Sequence, residues 1–284
     1  MTQLDRHALE DLVEQLFPLP TDQMPPEAER VVVTLLGALE SGAIRAAERD
    51  AAGAWQAVPW VKRGILLGFR VGRMVAHGIE GTPFHFFDKH TYPTRPLTLA
   101  DNVRVVPGGS TIRRGAYLAP GVVCMPPMFV NVGAWVGAGT MIDSHALVGS
   151  CAQIGARVHL SAAAQIGGVL EPVNASPVVI EDDVTVGGNC GVYEGTVVRE
   201  KAVLGAGVIL TRGTPVYDLV RERVYRGTAE MPLEIPAGAV VVPGARAVKG
   251  GFAAAEGLSL QTPLIVKYRD EKTDVATALE GWLR

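Results

Sequence analysis

Two hydrophobic rhythms divide the chain. In the first hundred residues apolar positions recur at helical spacing: Leu9, Leu12, Val13 and Leu16 lie on one face of "DRHALEDLVEQLF" (5–17). "PPEAERVVVTLLGALESG" (25–42) opens on prolines and closes on Gly42, the start and stop chemistry of a second helix. "AIRAAERDAAGAWQAV" predicts a short hairpin around Ala52-Gly53, and "PWVKRGILLGFRVG" a third helix. Pro93 and Pro96 mark the exit from this region.

From Ile112 the period becomes six. The inward series runs Ile112, Leu118, Cys124, Val130, Val136, Ile142, Val148, Ile154, Leu160, Ile166. Four residues after each comes a mostly small one, such as Ala116, Ala134, Thr140, Ala146 or Ala152. The register breaks at "GVLEPVNASPVV" and resumes at Ile180, Val186, Val192, Val198, Leu204, Leu210 and Val216. The step from 166 to 180 is 14, so eight extra residues loop out of one rung. A last echo, Ile235 and Val241, follows a hairpin expected at "YDLVRERVYRG".

Helices repeat near 3.6 and strands at 2, whereas a hexapeptide period belongs to parallel β-helices. Three six-residue rungs close a coil of 18, each large aliphatic pointing inward. The expected fold is therefore mainly β: a left-handed parallel β-helix of about six coils over 101–250, an N-terminal mostly helical domain over 1–100, and a C-terminal strand and amphipathic helix over 251–284. The left hand comes from knowledge of hexapeptide proteins, since parallel crossovers otherwise prefer the right. Glycines directly after the aliphatic (137, 149, 155, 167, 187, 205) are read as tight-turn residues. The tail is placed over the open end of the coil, whose unpaired edge needs cover.

Composition narrows the class. With 48% hydrophobic and 19% charged residues the chain is an ordinary soluble globular protein. A net charge of −3 supplies no electrostatic reason to expect nucleic acid or an anionic membrane as partner. Three cysteines without framework spacing speak against a disulfide scaffold. Neither a signal segment nor an apolar run of about 20 residues is present, so a cytoplasmic protein is expected.

Residues 18 apart should stack, which puts Asp143 beneath Ser161. Most turn aspartates only satisfy local amides, and a histidine such as His145 can simply face solvent or a neighbouring subunit. His145 and His159 are 14 apart, off any common column and without a third histidine in the coil, so no metal is expected and a zinc lyase is disfavoured. "VGAGTMI" lacks the third glycine and the strand-to-helix context of a dinucleotide fingerprint.

The pieces "MID", "VGSCAQIG", "VHLS", "IGGVLEP" and "IED" closely resemble the bacterial tetrahydrodipicolinate N-succinyltransferases, a hexapeptide-repeat acyltransferase family. "LESGAIRAAERD", "WVKRGILLGFR", "FFDK", "IPAGAVVVPG" and "LIVK" extend the likeness over nearly the whole chain. The resemblance implies a homotrimer with active sites between subunits. It also implies succinyl transfer from succinyl-CoA to the amine of ring-opened 2-amino-6-oxopimelate, in lysine and diaminopimelate synthesis. By motif, Arg104 and Asp143 would bind the amino-dicarboxylate, and Asp143 and Glu194 would be the catalytic carboxylates. Lys249 and Lys267 would meet the CoA phosphates, and the excursion around Pro172–Pro177 would wall the groove for its pantetheine arm. An arginine fork suits a dianionic substrate, and a carboxylate can both hold an ammonium and take its proton.

Departures stand beside those positions: Ser144-His145 where the family usually has threonine and tryptophan, and Asn189-Cys190-Gly191 where it has Arg-Ser-Glu. They leave three alternatives: an N-acetyltransferase on the same substrate, a catalytically silent acyl-CoA-binding β-helix, and His145 as the base.

Overall fold

The computed structural model describes residues 5–78, 81, 85–229 and 231–269. Three helices, α1 (Arg6–Leu16), α2 (Glu27–Glu40) and α3 (Pro59–Val71), lie where the apolar spacing predicts them. Asp5 caps α1 by accepting the Ala8 amide at 3.1 Å, and proline opens α3. Leu9, Val13, Leu35, Leu36, Ile65 and Leu67 bury the shared face. Helices α2 and α3 meet tightly at Gly64, where a Cβ would stand 2.3 Å from Leu35 Cδ2. The predicted hairpin pairs Ala47–Arg49 with Trp55–Ala57.

The rest of the chain coils. Two-residue strands stack in parallel on three faces. The first face carries Arg104–Val105, Val123–Cys124, Met141–Ile142, His159–Leu160, Thr185–Val186 and Val203–Leu204. On the second, Leu147–Val148 is followed upward by Gln165–Ile166, Gly191–Val192 and Ile209–Leu210. The third includes Tyr117–Leu118, Trp135–Val136, Gln153–Ile154, Val179–Ile180 and Val197–Val198. Trp135 pairs with Gln153, 18 residues on; Gln153 pairs with Val179, 26 on, the surplus of eight being the excursion. Together with the hexapeptide pattern this is the left-handed β-helix expected.

Every aliphatic of the six-residue series is buried, Val136, Ile142, Val148, Ile154, Leu160 and Ile166 completely. At roughly 1.5–3 kcal/mol for each such side chain, this column is the main stabilising term. The glycines behind the aliphatics work differently from the turn reading. None has a left-handed φ; they are places where successive coils touch. A Cβ on Gly149 would lie 2.2 Å from the Gly168 nitrogen, and one on Gly137 2.5 Å from the Gly155 carbonyl carbon. The left-handed residues come two places later, at Gly133 and Gly139 but also at His145, Cys151, Arg157 and Ala163.

Past the last full coil, Ala239–Ala247 and Ser259–Tyr268 form an antiparallel hairpin that extends the first face, and Val216–Asp218 pairs with its second strand. Ile265 joins the coil's core, so the hairpin covers the edge by becoming part of the sheet. The amphipathic helix read from the final residues, with Trp282, lies outside the described residues. Tyr268 is packed: its hydroxyl donates to Asp218 at 2.6 Å and Arg221 lies 3.9 Å from its ring centre. Among the described residues no helix is long and apolar enough to cross a membrane.

The helical domain docks along one side of the coil. Val132 and Cys151, from the corner between the second and third faces, are buried in the helical core. Arg45 lies over Trp135 at 4.0 Å and donates to Gln153 at 3.0 Å; burial lowers its pKa to about 10. Glu181 accepts from Arg49, Trp55 and Arg199, tying the hairpin to the third face.

Candidate active site

The predicted carboxylates stand on different corners. Asp143 follows Met141–Ile142, at the corner between the first and second faces. Glu194 follows Gly191–Val192, at the corner between the second and third. Along the second face, Leu147–Val148 pairs with Gln165–Ile166, which pairs with Gly191–Val192, so two coil steps also separate them. That is about 10 Å along the axis in addition to the width of a face. Within one chain the two do not meet.

Arg104 shares the first face with Asp143. It pairs with Val123, which pairs with Met141, two strands away from the start of the "MID" strand. Its side chain is exposed and has no ion pair among the described residues. One oxygen of Asp143 accepts the Ser144 amide at 2.7 Å, the local use common to turn aspartates, which leaves the other for a ligand. His145 is exposed with φ 62°; its amide donates to the Pro127 carbonyl at 2.5 Å, and its carbonyl accepts from Gln165 at 3.1 Å.

Glu194 lines a groove of about 680 Å³ together with Gly167, Gly168, Glu171, Pro172, Tyr193 and Arg212. Glu171, Pro172 and Ala175 of the excursion form one wall of it. That wall is anchored from below by Lys62 of α3, a fully buried lysine whose ammonium donates to the Ala175 carbonyl at 2.5 Å. Burial lowers the pKa of Lys62, and no carboxylate offsets it among the described residues. The next carbonyl, Ser176, leans on Gly195 so closely that a Cβ there would be 2.7 Å away. Glu194 and Gly195 both have positive φ, 55° and 74°, and Glu194 accepts the Arg212 amide at 3.1 Å.

The departures at 189–191 acquire local reasons. Asn189 takes a left-handed φ, the Cys190 thiol donates to the Gly205 carbonyl at 3.1 Å, and Gly191 lies under the Tyr193 ring, where a Cβ would come within 2.4 Å. Lys249 and Lys267 are not brought together. Lys267 pairs opposite Val240 near the base of the terminal hairpin, while Lys249 follows its first strand at the far end. Ala247 pairing with Ser259 puts roughly seven residue steps, about 24 Å, between those ends. Among the described residues no cluster of three or more His, Cys, Asp or Glu could hold a metal.

Two groups were missed in the sequence. Arg212 follows Glu194 by 18 residues, one coil, so the stacking rule that paired Asp143 with Ser161 was enough to find it. Lys62 carried no such signal, because its partner is a main-chain carbonyl over a hundred residues away.

Comparison with known proteins fits this geometry. Residues 8–71 match the N-terminal domain of tetrahydrodipicolinate N-succinyltransferase, and 177–212 the hexapeptide repeat of succinyl-transferases. A Polynucleobacter asymbioticus protein named 2,3,4,5-tetrahydropyridine-2,6-dicarboxylate N-succinyltransferase is 40% identical, with 100% of both chains covered. The chain belongs to that family. A Nitrobacter winogradskyi protein of the same name is 42% identical over 91% of this chain and 90% of its own. The solved structure of a Campylobacter jejuni protein, described as a candidate N-succinyltransferase, shares the fold: TM-score 0.52 at 17% identity, covering 87% of this chain and 64% of that one. Family membership rests on whole-chain identity, so it reaches past the hexapeptide coil to the helical domain and the tail.

Proposed function

We propose that this chain transfers the succinyl group of succinyl-CoA to the amine of ring-opened tetrahydrodipicolinate, in lysine and diaminopimelate synthesis. The observation that carries the reading is identity to named N-succinyltransferases over the full chain. The groove walled by the excursion has the room an extended pantetheine arm needs, and Gly167 and Gly168 leave its floor without side chains.

Bound there, the thioester supplies an acyl carbon already activated toward an amine. The chain's residues do the rest. Arg104 holds a substrate carboxylate with its planar fork. Asp143 receives the substrate's ammonium, and a carboxylate takes the proton that blocks attack. The amine nitrogen then bonds to the acyl carbon as the C–S bond breaks, and the second amine proton goes to the departing thiolate. Holding both reactants in one groove supplies the larger part of the acceleration.

Because Asp143 and Glu194 stand on different corners, the reading includes a homotrimer in which neighbouring chains each contribute one of them. It places the reaction in the cytoplasm, whose reducing poise keeps thiols such as Cys124, Cys151 and Cys190 free.

The test is thiol release from succinyl-CoA with and without tetrahydrodipicolinate, run beside acetyl-CoA and an Asp143→Ala variant. Substrate-dependent release from succinyl-CoA that the variant loses is expected. Release from acetyl-CoA alone would move the chain to acetyl transfer; release from neither would leave a silent scaffold.

A further inference from the structure

The groove beside Glu194 holds a cation that the family motifs do not assign. Arg212 follows the second-face strand Ile209–Leu210 and sits one coil above Glu194. Its main chain is fixed on both sides: the amide donates to Glu194 at 3.1 Å and the carbonyl accepts from Gly227 at 3.1 Å. Thr211 and Thr214 close the same turn, with their hydroxyls 2.9 Å apart. The side chain therefore leaves from a rigid point.

Arg212 lines the groove. Its Nε is shut off from solvent and has no hydrogen-bond partner, while the residue as a whole lines the groove and is only partly buried. Glu171 and Glu194 line the same groove, yet Arg212 forms an ion pair with neither, nor with any other carboxylate among the described residues. A partly desolvated guanidinium with an unmade donor carries a cost that a carboxylate ligand removes, and a fork of donors in fixed geometry suits that ligand.

We infer that Arg212 is a carboxylate-binding residue of this groove, taking the free carboxylate of a reacting small molecule. Two reactants bring one: the succinyl tail of the acyl donor and the dicarboxylate acceptor. The donor is the reactant that distinguishes this site from an acetyl-transfer site, because an acetyl group has no carboxylate to offer. Naming these reactants rests on the succinyl-transfer reading; the carboxylate site itself does not.

The experiment uses the full chain with Arg212→Met, which keeps the apolar stem, and Arg212→Lys, which keeps the charge but not the fork. Thermal midpoints establish that both are folded; if Arg212→Met is not, Arg212→Gln replaces it. Calorimetric titration with succinate, and with succinyl-CoA against acetyl-CoA, reads binding without turnover. Arg212→Met should weaken succinate and succinyl-CoA by about tenfold to a hundredfold and leave acetyl-CoA unchanged, with Arg212→Lys in between. Thiol-release kinetics then separate the sources. A loss of kcat/KM confined to succinyl-CoA assigns the donor's carboxylate, whereas a raised acceptor KM with either donor assigns the acceptor's. Unchanged succinate, donor and acceptor affinities in Arg212→Met would overturn the inference. A wild type that binds succinate through Arg212 but releases no thiol would instead overturn the transfer reading alone.

Discussion

Two corners of the same coil have opposite construction. The corner between the second and third faces is covered from below by the helical domain, walled by the excursion that Lys62 holds through Ala175, and crowned by Glu194 and Arg212. The corner between the first and second faces has no such cover among the described residues; there Asp143 is half-buried and His145 exposed. The first corner is a groove without Asp143, and the second carries Asp143 away from that groove. Under the proposed function each is half of a site, completed when one corner is set against the other corner of another copy.

The sharpest way to break that comparison is to cut both halves. Asp143→Ala and Glu194→Ala chains should each lose turnover by roughly a hundredfold to ten-thousandfold, the usual worth of a positioned acid or base. Unfolded together in equal amounts and refolded, they should recover activity. An interface then draws an intact Asp143 from one chain and an intact Glu194 from the other in half times half of cases, about a quarter of the wild-type rate. The measurement is thiol release before and after mixing. No recovery, with both variants folded and assembled, would mean that the halves do not belong to one site.

How much of this was readable beforehand differs between the corners. The period of six placed every inward aliphatic, the excursion and Asp143, because a coil of 18 leaves little freedom once its register is known. Glu194 and Arg212 were equally placed by that register, but a pair 18 apart has meaning only when each coil is read against the next. The glycines behind the aliphatics misled for a physical reason. Glycine serves both positive φ and close approach, and only the backbone separates Gly149, which makes room for Gly168, from Gly133, which turns left-handed. The resemblance assigns Lys249 and Lys267 to the CoA phosphates, and the length of the terminal hairpin, a tertiary property, sets the two apart within the chain. Lys62 lies within the third predicted helix, where nothing in its spacing marks it.

That lysine gives the next prediction. A buried ammonium with one carbonyl acceptor and no anion is costly. Its folded pKa is held below the ordinary lysine value, so between the folded and unfolded pKa values the unfolded chain binds the extra proton. Stability then rises with pH across that alkaline window, and below it the full cost is present. Lys62→Met should lack this rise and be at least as stable as wild type at neutral pH, by up to about 2 kcal/mol. It should nevertheless turn over more slowly, because the wall beside Glu194 loses its anchor. Urea denaturation from pH 7 to 11, with kcat and KM, checks both. A variant less stable than wild type and unchanged in turnover would make Lys62 a core residue and separate the helical domain from the groove.

The smallest effect belongs to the open corner, where His145 holds a left-handed φ that costs a side-chain-bearing residue about 1 kcal/mol. Glycine removes that cost but gives the unfolded chain more freedom, worth about 0.4–1 kcal/mol in the other direction. His145→Gly should therefore change stability by less than about 1 kcal/mol. The hydrogen bonds to Pro127 and from the Gln165 side chain both use the main chain of His145 and survive the change. What disappears is the imidazole alone, so turnover is a clean reading of its part in the chemistry. With Asp143 two residues away to hold the ammonium, thiol release is expected to stay within about twofold of wild type. A loss of a hundredfold or more, the scale of a general base, would transfer the proton to His145. The open corner would then carry base as well as anchor, and Glu194 would keep only its place in the wall of the groove.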